Sequence, residues 1–172
     1  GESRKLEGRT VVIGGGNVAV DAARTAVRAG SKKTFMYCLE SREIMPAARD
    51  EIAEAEAEGV AIACGWGPKR ILTENGKVTG VEFKLCTRVF DDEKHFAPEY
   101  DEDDTVTVEC ENVILSVGQS IQWGGLLDGS RVRLGRGNGA QADKLTYQTD
   151  EPDIFVGGDV FTGPKFAIDA IA

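Results

Sequence analysis

The chain has 172 residues, 41% of them hydrophobic, which suits one domain, or one and a fraction, around a packed core. Lys and Arg number 20 against 29 Asp and Glu, and the resulting net charge of −9 argues against a nucleic-acid partner. No apolar run approaches the roughly 18–20 residues of a membrane span, and the polar start Gly1-Glu-Ser-Arg-Lys5 has no signal-peptide pattern, so no membrane partner and a cytoplasmic location are expected.

In chain order, the first element is Val11-Val-Ile13, which reads as a buried parallel strand. It breaks into Gly14-Gly-Gly16-Asn-Val-Ala19, a G-x-G-x-x-A pattern that opens a helix over about Asn17 to Ala29. In that context Gly14 supplies a sharp turn, Gly16 lets the backbone close on a pyrophosphate, and Ala19 allows close helix–sheet packing. The helix then aims its positive end and free N–H groups at the phosphates. Gly30 caps this helix, and Thr34 to Leu39 is the second strand, completing a βαβ unit. Glu40 stands at the end of that strand, where an acidic group accepts hydrogen bonds from ribose hydroxyls. Pro46 is expected to open a second helix running through Glu51 to Glu58 and ending at Gly59, with a mostly wet face.

Val60 to Cys64 reads as the third strand, after which the pattern changes. Arg70 to Thr73, the turn Glu74-Asn-Gly-Lys77 and Val78 to Cys86 form a hairpin, and the alternating Thr105 to Cys110 adds a third antiparallel strand. Between them, about Phe90 to Asp104 reads as a long, mobile acidic loop; its carboxylates are taken as solvated, not as a metal site. Asn112 to Val117 returns to the buried-strand pattern and stops at Gly118. Gly135 to Gly139 has no strand before it and no helix after it, so it reads as a flexible loop. Asp153 to Val156 is a short strand, followed by Gly157-Gly-Asp159 and a helical pattern over Phe166 to Ala172. That ending is expected to be cut from something longer. Cys38, Cys64, Cys86 and Cys110 are widely spaced and form no C-x-x-C, which indicates reduced thiols and no redox-active pair or iron–sulfur ligand set.

The fold class is therefore α/β: a Rossmann-like parallel sheet with an antiparallel meander. Gly14 to Asp21, Met45-Pro-Ala47, Glu58-Gly-Val60, Val113 to Gln119, Ile154 to Asp159 and Gly163-Pro164 together resemble the FAD-dependent pyridine nucleotide-disulfide oxidoreductases, as in the glutamate synthase small (beta) subunit and its relatives. The resemblance implies that residues 8–118 are the NAD(P)H-binding domain, and that 119–172 is a return segment, a stub of an adjoining FAD domain. It implies a parent enzyme in which NAD(P)H passes hydride to FAD, with this piece inactive alone and an iron–sulfur or large catalytic subunit as a possible partner. The implied cofactor residues are Gly14, Gly15, Gly16, Asn17, Val18, Glu40, Arg42 and Gly118, with Gly158 and Asp159 on the FAD side. Where NADPH-using relatives carry paired arginines before the Met-Pro, this chain has Leu39 and Glu40. A carboxylate there favours NAD(H) over NADP(H), with Arg42 two residues on, and Lys33, as cations that would restore part of the phosphate affinity. The alternatives are a stand-alone NAD(P)-sensing module without catalysis and an ordinary dehydrogenase.

Several residues carry plain structural readings. Arg24 and Arg28 are either solvated or ion-paired, or they touch the cofactor; Asp21 is expected to pair with one of them at helical spacing. His95 is assigned no catalytic role, and no nucleophilic constellation is present, so the hydride chemistry would belong to the cofactors.

Overall fold

The computed structural model describes residues 5–165 and 167–171. They divide into two compact units, Gly1–Gly118 and Gln119–Ala172.

In the first unit, β1 (Arg9–Ile13), β2 (Lys33–Cys38), β3 (Val60–Cys64) and β7 (Asn112–Leu115) make a parallel sheet of order β3-β2-β1-β7. Helix α1 (Asn17–Arg28) crosses from β1 to β2, and α2 (Arg49–Ala57) from β2 to β3. α1 buries Ala19, Val20, Ala23 and Ala26, one stripe at helical spacing, and the small residues let it lie close on the sheet. α2 buries only Ile52 and Ala55, so its other side chains lie on the wetter face its Ala/Glu composition implies.

A second sheet of order β4-β5-β6 is antiparallel, built from Trp66–Glu74, Lys77–Phe90 and Phe96–Glu109. It lies over the face of the parallel sheet that the helices leave free. Val12, Met36 and Cys38 pack with Val20, Ile52 and Val60 on the helical side. Val11, Ile13 and Tyr37 pack with Val81, Phe83 and Cys110 on the meander side. Alternate residues of β1 thus enter different cores, and that is why its sequence is apolar without alternation.

The meander is longer than expected. β5 continues to Phe90 and β6 starts at Phe96, so most of the stretch read as an acidic loop is a two-stranded ribbon. Its charges hid the strand because its carboxylates meet cations: Arg88 pairs with Glu99 and Asp92, and Lys84 with Glu102. Only the turn at 91–95 remains, where the Asp91 carboxylate accepts from the N–H groups of Glu93 and His95. β4 likewise begins at Trp66, ahead of the expected Arg70, carrying Pro68 on an edge strand beside a register shift. α2 starts at Arg49, with the preceding Ala48 extended, so Pro46 lies in an irregular stretch before the helix.

The second unit has little regular structure. The expected strand at Asp153 to Val156 is reduced to one bridge, Gln148 to Phe155, and Arg136–Asn138 forms a 3-10 turn closed by a Gly135 N–H bond to the Gly139 carbonyl. A short helix α3 (Asp159–Thr162) and a 3-10 turn (Ala167–Ala170) follow. The helical pattern expected over Phe166 to Ala172 falls partly outside the described residues. Arg131 pairs with Glu151 and Arg133 with Asp150. Among the described residues, no helix is long and apolar enough to cross a membrane.

Candidate functional site

The strand order reverses at β1: β2 and β3 lie to one side, β7 to the other. The carboxyl end of such a strand is where an open α/β sheet leaves a crevice for a ligand. The turn that leaves β1 at this point is Gly14 to Gly16.

Each glycine has its own reason. Gly14 has φ +144, and a Cβ there would collide with the Ser116 carbonyl oxygen at the end of β7 and press on Ala19. Its N–H donates to the Tyr37 carbonyl at 2.9 Å, holding the turn to β2. Gly15 is buried, and a Cβ on it would lie 2.8 Å from Glu40 Oε2 and 3.0 Å from the Cys38 Cβ. Gly16 is different: it is the N-cap of α1 and a Cβ there would meet nothing within 4 Å. The space beside it is open and α1 has no side-chain cap; the Ala19 N–H turns back to the Gly16 carbonyl at 2.9 Å, which leaves the N–H groups of Asn17 and Val18 for a ligand. An uncapped helix start beside open space can hold an anion through backbone donors and the helix dipole.

The turn is clamped from the far side by the stretch before α2. The Ala47 N–H donates to the Gly15 carbonyl at 3.1 Å, and the Ala48 N–H donates to Asn17 Oδ1 at 2.8 Å. Asn17, expected near the pyrophosphate, thus braces the turn through its Oδ1, and its backbone N–H and side-chain amide N–H groups remain available as donors. The clamp escaped the sequence reading; Met45-Pro46-Ala47 marked the place without telling the role. Val18 is 68% exposed and lines an apolar groove with Leu6, Ala22 and Ile114.

Glu40 is half-buried, with its carboxylate against Gly15 and its carbonyl accepting from the Gly65 N–H at 3.0 Å. Arg42 is held by Glu56 at 2.6 Å, and that hydrogen bond pushes its guanidinium above the ordinary value. Gly118 has φ +108 and closes the first unit. Gly158 and Asp159 belong to the second unit: Gly158 has φ +64 and caps α3, and Asp159 Oδ1 accepts from the Lys165 N–H at 3.4 Å.

Arg24 and Arg28 are ion-paired across the two helices. Arg24 reaches Glu51, Glu54 and Glu58 at 3.0, 2.8 and 2.8 Å, and Arg28 reaches Glu58 at 2.6 Å. Asp21 is exposed, and the arginines expected to pair with it are taken by α2. His95 sits at the ribbon turn beside Asp91 and Glu93.

Comparison with known proteins bears on this arrangement. The family model described as pyridine nucleotide-disulphide oxidoreductase matches residues 2–172. The chain belongs to this family. It is 34% identical over 172 residues to the beta subunit of an NADP(+)-dependent formate dehydrogenase from Moorella thermoacetica, which aligns with 97% of this chain and 24% of that protein. It is 33% identical over 176 residues to the small chain of glutamate synthase [NADPH] from Escherichia coli (strain K12), with 97% and 37% covered. The chain thus spans about a quarter to over a third of these relatives' length. Among solved structures, T. acidophilum thioredoxin reductase superposes with a TM-score of 0.76 at 21% identity, covering 96% of this chain and 53% of that one, which speaks to the fold alone. The family is one of oxidoreductases, and the α/β architecture with its antiparallel three-stranded sheet is shared with its structural neighbours.

Proposed function

We propose that this chain is the NAD(P)H-binding part of a flavoprotein oxidoreductase. The turn Gly14 to Val18 receives the dinucleotide's pyrophosphate, and the cofactor is oriented to pass hydride to an FAD held by the adjoining domain of a longer parent. The observation that carries the reading is the uncapped start of α1 beside the open space at Gly16, located at the reversal of strand order. Gly158 and Asp159 are assigned to the FAD side on the family resemblance.

For the ribose we propose NADH. The carboxylate at Glu40 repels a 2′-phosphate, and Arg42, the nearby cation, is engaged by Glu56. The names of the formate dehydrogenase and glutamate synthase relatives weigh towards NADPH, so the two cofactors are compared directly.

Gly16→Val is the test of the site. Its side chain enters space that the folded protein leaves empty, so the fold is kept while the phosphate position is filled. Calorimetric titration of the purified chain with NADH and NADPH is expected to show binding by the parent and affinity at least about tenfold lower, roughly 1.4 kcal/mol, in the variant. Equal affinity in both chains would overturn the assignment.

A further inference from the structure

Three sulfur atoms converge beneath the glycine turn. Cys38 ends β2 and Cys64 ends β3, and the two are register partners on neighbouring parallel strands, so their side chains share one face of the sheet. That is the helix-covered face, which Met45 also joins. The Cys64 thiol approaches Met45 Sδ at 3.7 Å. Cys38 is 2% exposed and Met45 8%, whereas Cys64 is half-buried. Both thiols are free.

Sulfur donors bound at about 2.3 Å around a trigonal ion stand about 4 Å from one another, close to the 3.7 Å that separates Cys64 Sγ from Met45 Sδ. Thiolate and thioether sulfur are soft donors, and with no imidazole or carboxylate in the trio they select a soft ion such as Cu(I) over Zn, Mg or Ca. A dithiolate of a monovalent ion carries one negative charge, and the Arg42 guanidinium, held by Glu56, also feels both thiols and would offset it.

We propose that Cys38, Cys64 and Met45 form a binding site for a soft monovalent cation of the Cu(I) class, with two thiolates and a thioether as donors. Two S–H bonds break and two sulfur–metal bonds form, two protons leave to solvent, and the thioether adds a lone pair. No electron is transferred. Because two protons leave on binding, uptake strengthens as pH rises. The site requires nothing of the dinucleotide reading, and its test uses the metal alone.

The purified chain, kept anaerobic and reduced, is titrated with Cu(I) supplied as its acetonitrile complex against a competing chelator, with Ag(I) as a redox-inert second probe. Native mass spectrometry is expected to show one ion per chain with two protons lost. Cys64→Ser is expected to weaken binding at least tenfold. Met45→Leu, which conserves volume and fold, should weaken it less, and Cys86→Ser should leave it unchanged. Absence of a bound ion in the parent, Met45→Leu binding as tightly as the parent, or loss of binding in Cys86→Ser would each overturn the proposal.

Discussion

At the scale of single residues, the turn after β1 divides its tasks among three adjacent glycines. Gly14 is needed for space and for its positive φ, Gly15 for its approach to Glu40 and Cys38, and Gly16 for the room it leaves open. Substitutions at the first and third should therefore fail differently. Gly14→Ala is expected to destabilise the fold by roughly 1–3 kcal/mol from backbone strain, with the clash against Ser116 adding to it. Urea unfolding checks this, and an unchanged midpoint would contradict it; Gly16→Val should lose ligand affinity while keeping its midpoint. Glu40→Arg exchanges a repelling carboxylate for a cation. It is expected to shift the NADPH-to-NADH affinity ratio towards NADPH by about 1.5–3 kcal/mol, the range of a hydrogen bond to a charged group. Parallel titrations at one ionic strength measure the ratio, and an unchanged ratio would place the ribose elsewhere.

At the scale of elements, the two helices are joined by charge where their apolar contact is slight. α2 buries only two side chains, and Arg24 of α1 gathers Glu51 and Glu54 of α2 and Glu58 at its C-cap. The hydrogen bond from Arg24, then that from Arg28, holds the Glu58 carboxyl below its ordinary value of 4.5. A depressed folded-state value stabilises the protein above the unfolded value, and that contribution disappears as pH falls through the folded one. Stability should thus fall from about pH 5 downward more steeply in the parent than in Arg24→Gln, and both profiles should flatten in high salt because the pairs are partly exposed. Denaturant midpoints measured from pH 7 to 3 test this; parallel profiles would deny Arg24 the role. On the opposite face, Tyr37 and Phe83 stack with centroids 4.1 Å apart and planes at 13°, joining the parallel sheet to the meander. Phe83 is fully buried, so Phe83→Ala is expected to cost about 3–5 kcal/mol, read from the unfolding midpoint.

At the scale of the whole molecule, the two units are built differently. Among the described residues, every buried apolar side chain except Ala140 belongs to the first unit, which has two core layers around one sheet. The second unit rests on isolated bridges, turns and surface pairs such as Arg133 with Asp150. Hydrogen exchange is accordingly expected to be slowest at Val11 to Ile13 and Met36 to Cys38. The amides of residues 119–165 should exchange well before global unfolding. Equal protection in both units would show that the second is held by more than its own packing.

The sequence by itself determined the βαβ start, the glycine turn, the hairpin at Asn75-Gly76 and the buried strand that begins at Asn112. These are local signals: apolar runs, small residues at fixed offsets and turn chemistry act over a few residues. The family resemblance could be stated from the same motifs. What only the tertiary structure decided depends on partners distant in sequence. The strand character of residues 96–104 was hidden because charges on the ribbon are matched by ion pairs, such as Arg88 with Glu99 and Lys84 with Glu102, that no periodicity encodes. Asn17 braces the glycine turn because Ala48, 31 residues on, brings its Oδ1 a backbone donor. Arg24 found its partners on α2 instead of at Asp21, since helix packing sets which charges meet. Cys38 and Cys64, 26 positions apart and unremarkable as a sequence pair, became neighbours only when parallel strand pairing put them in register.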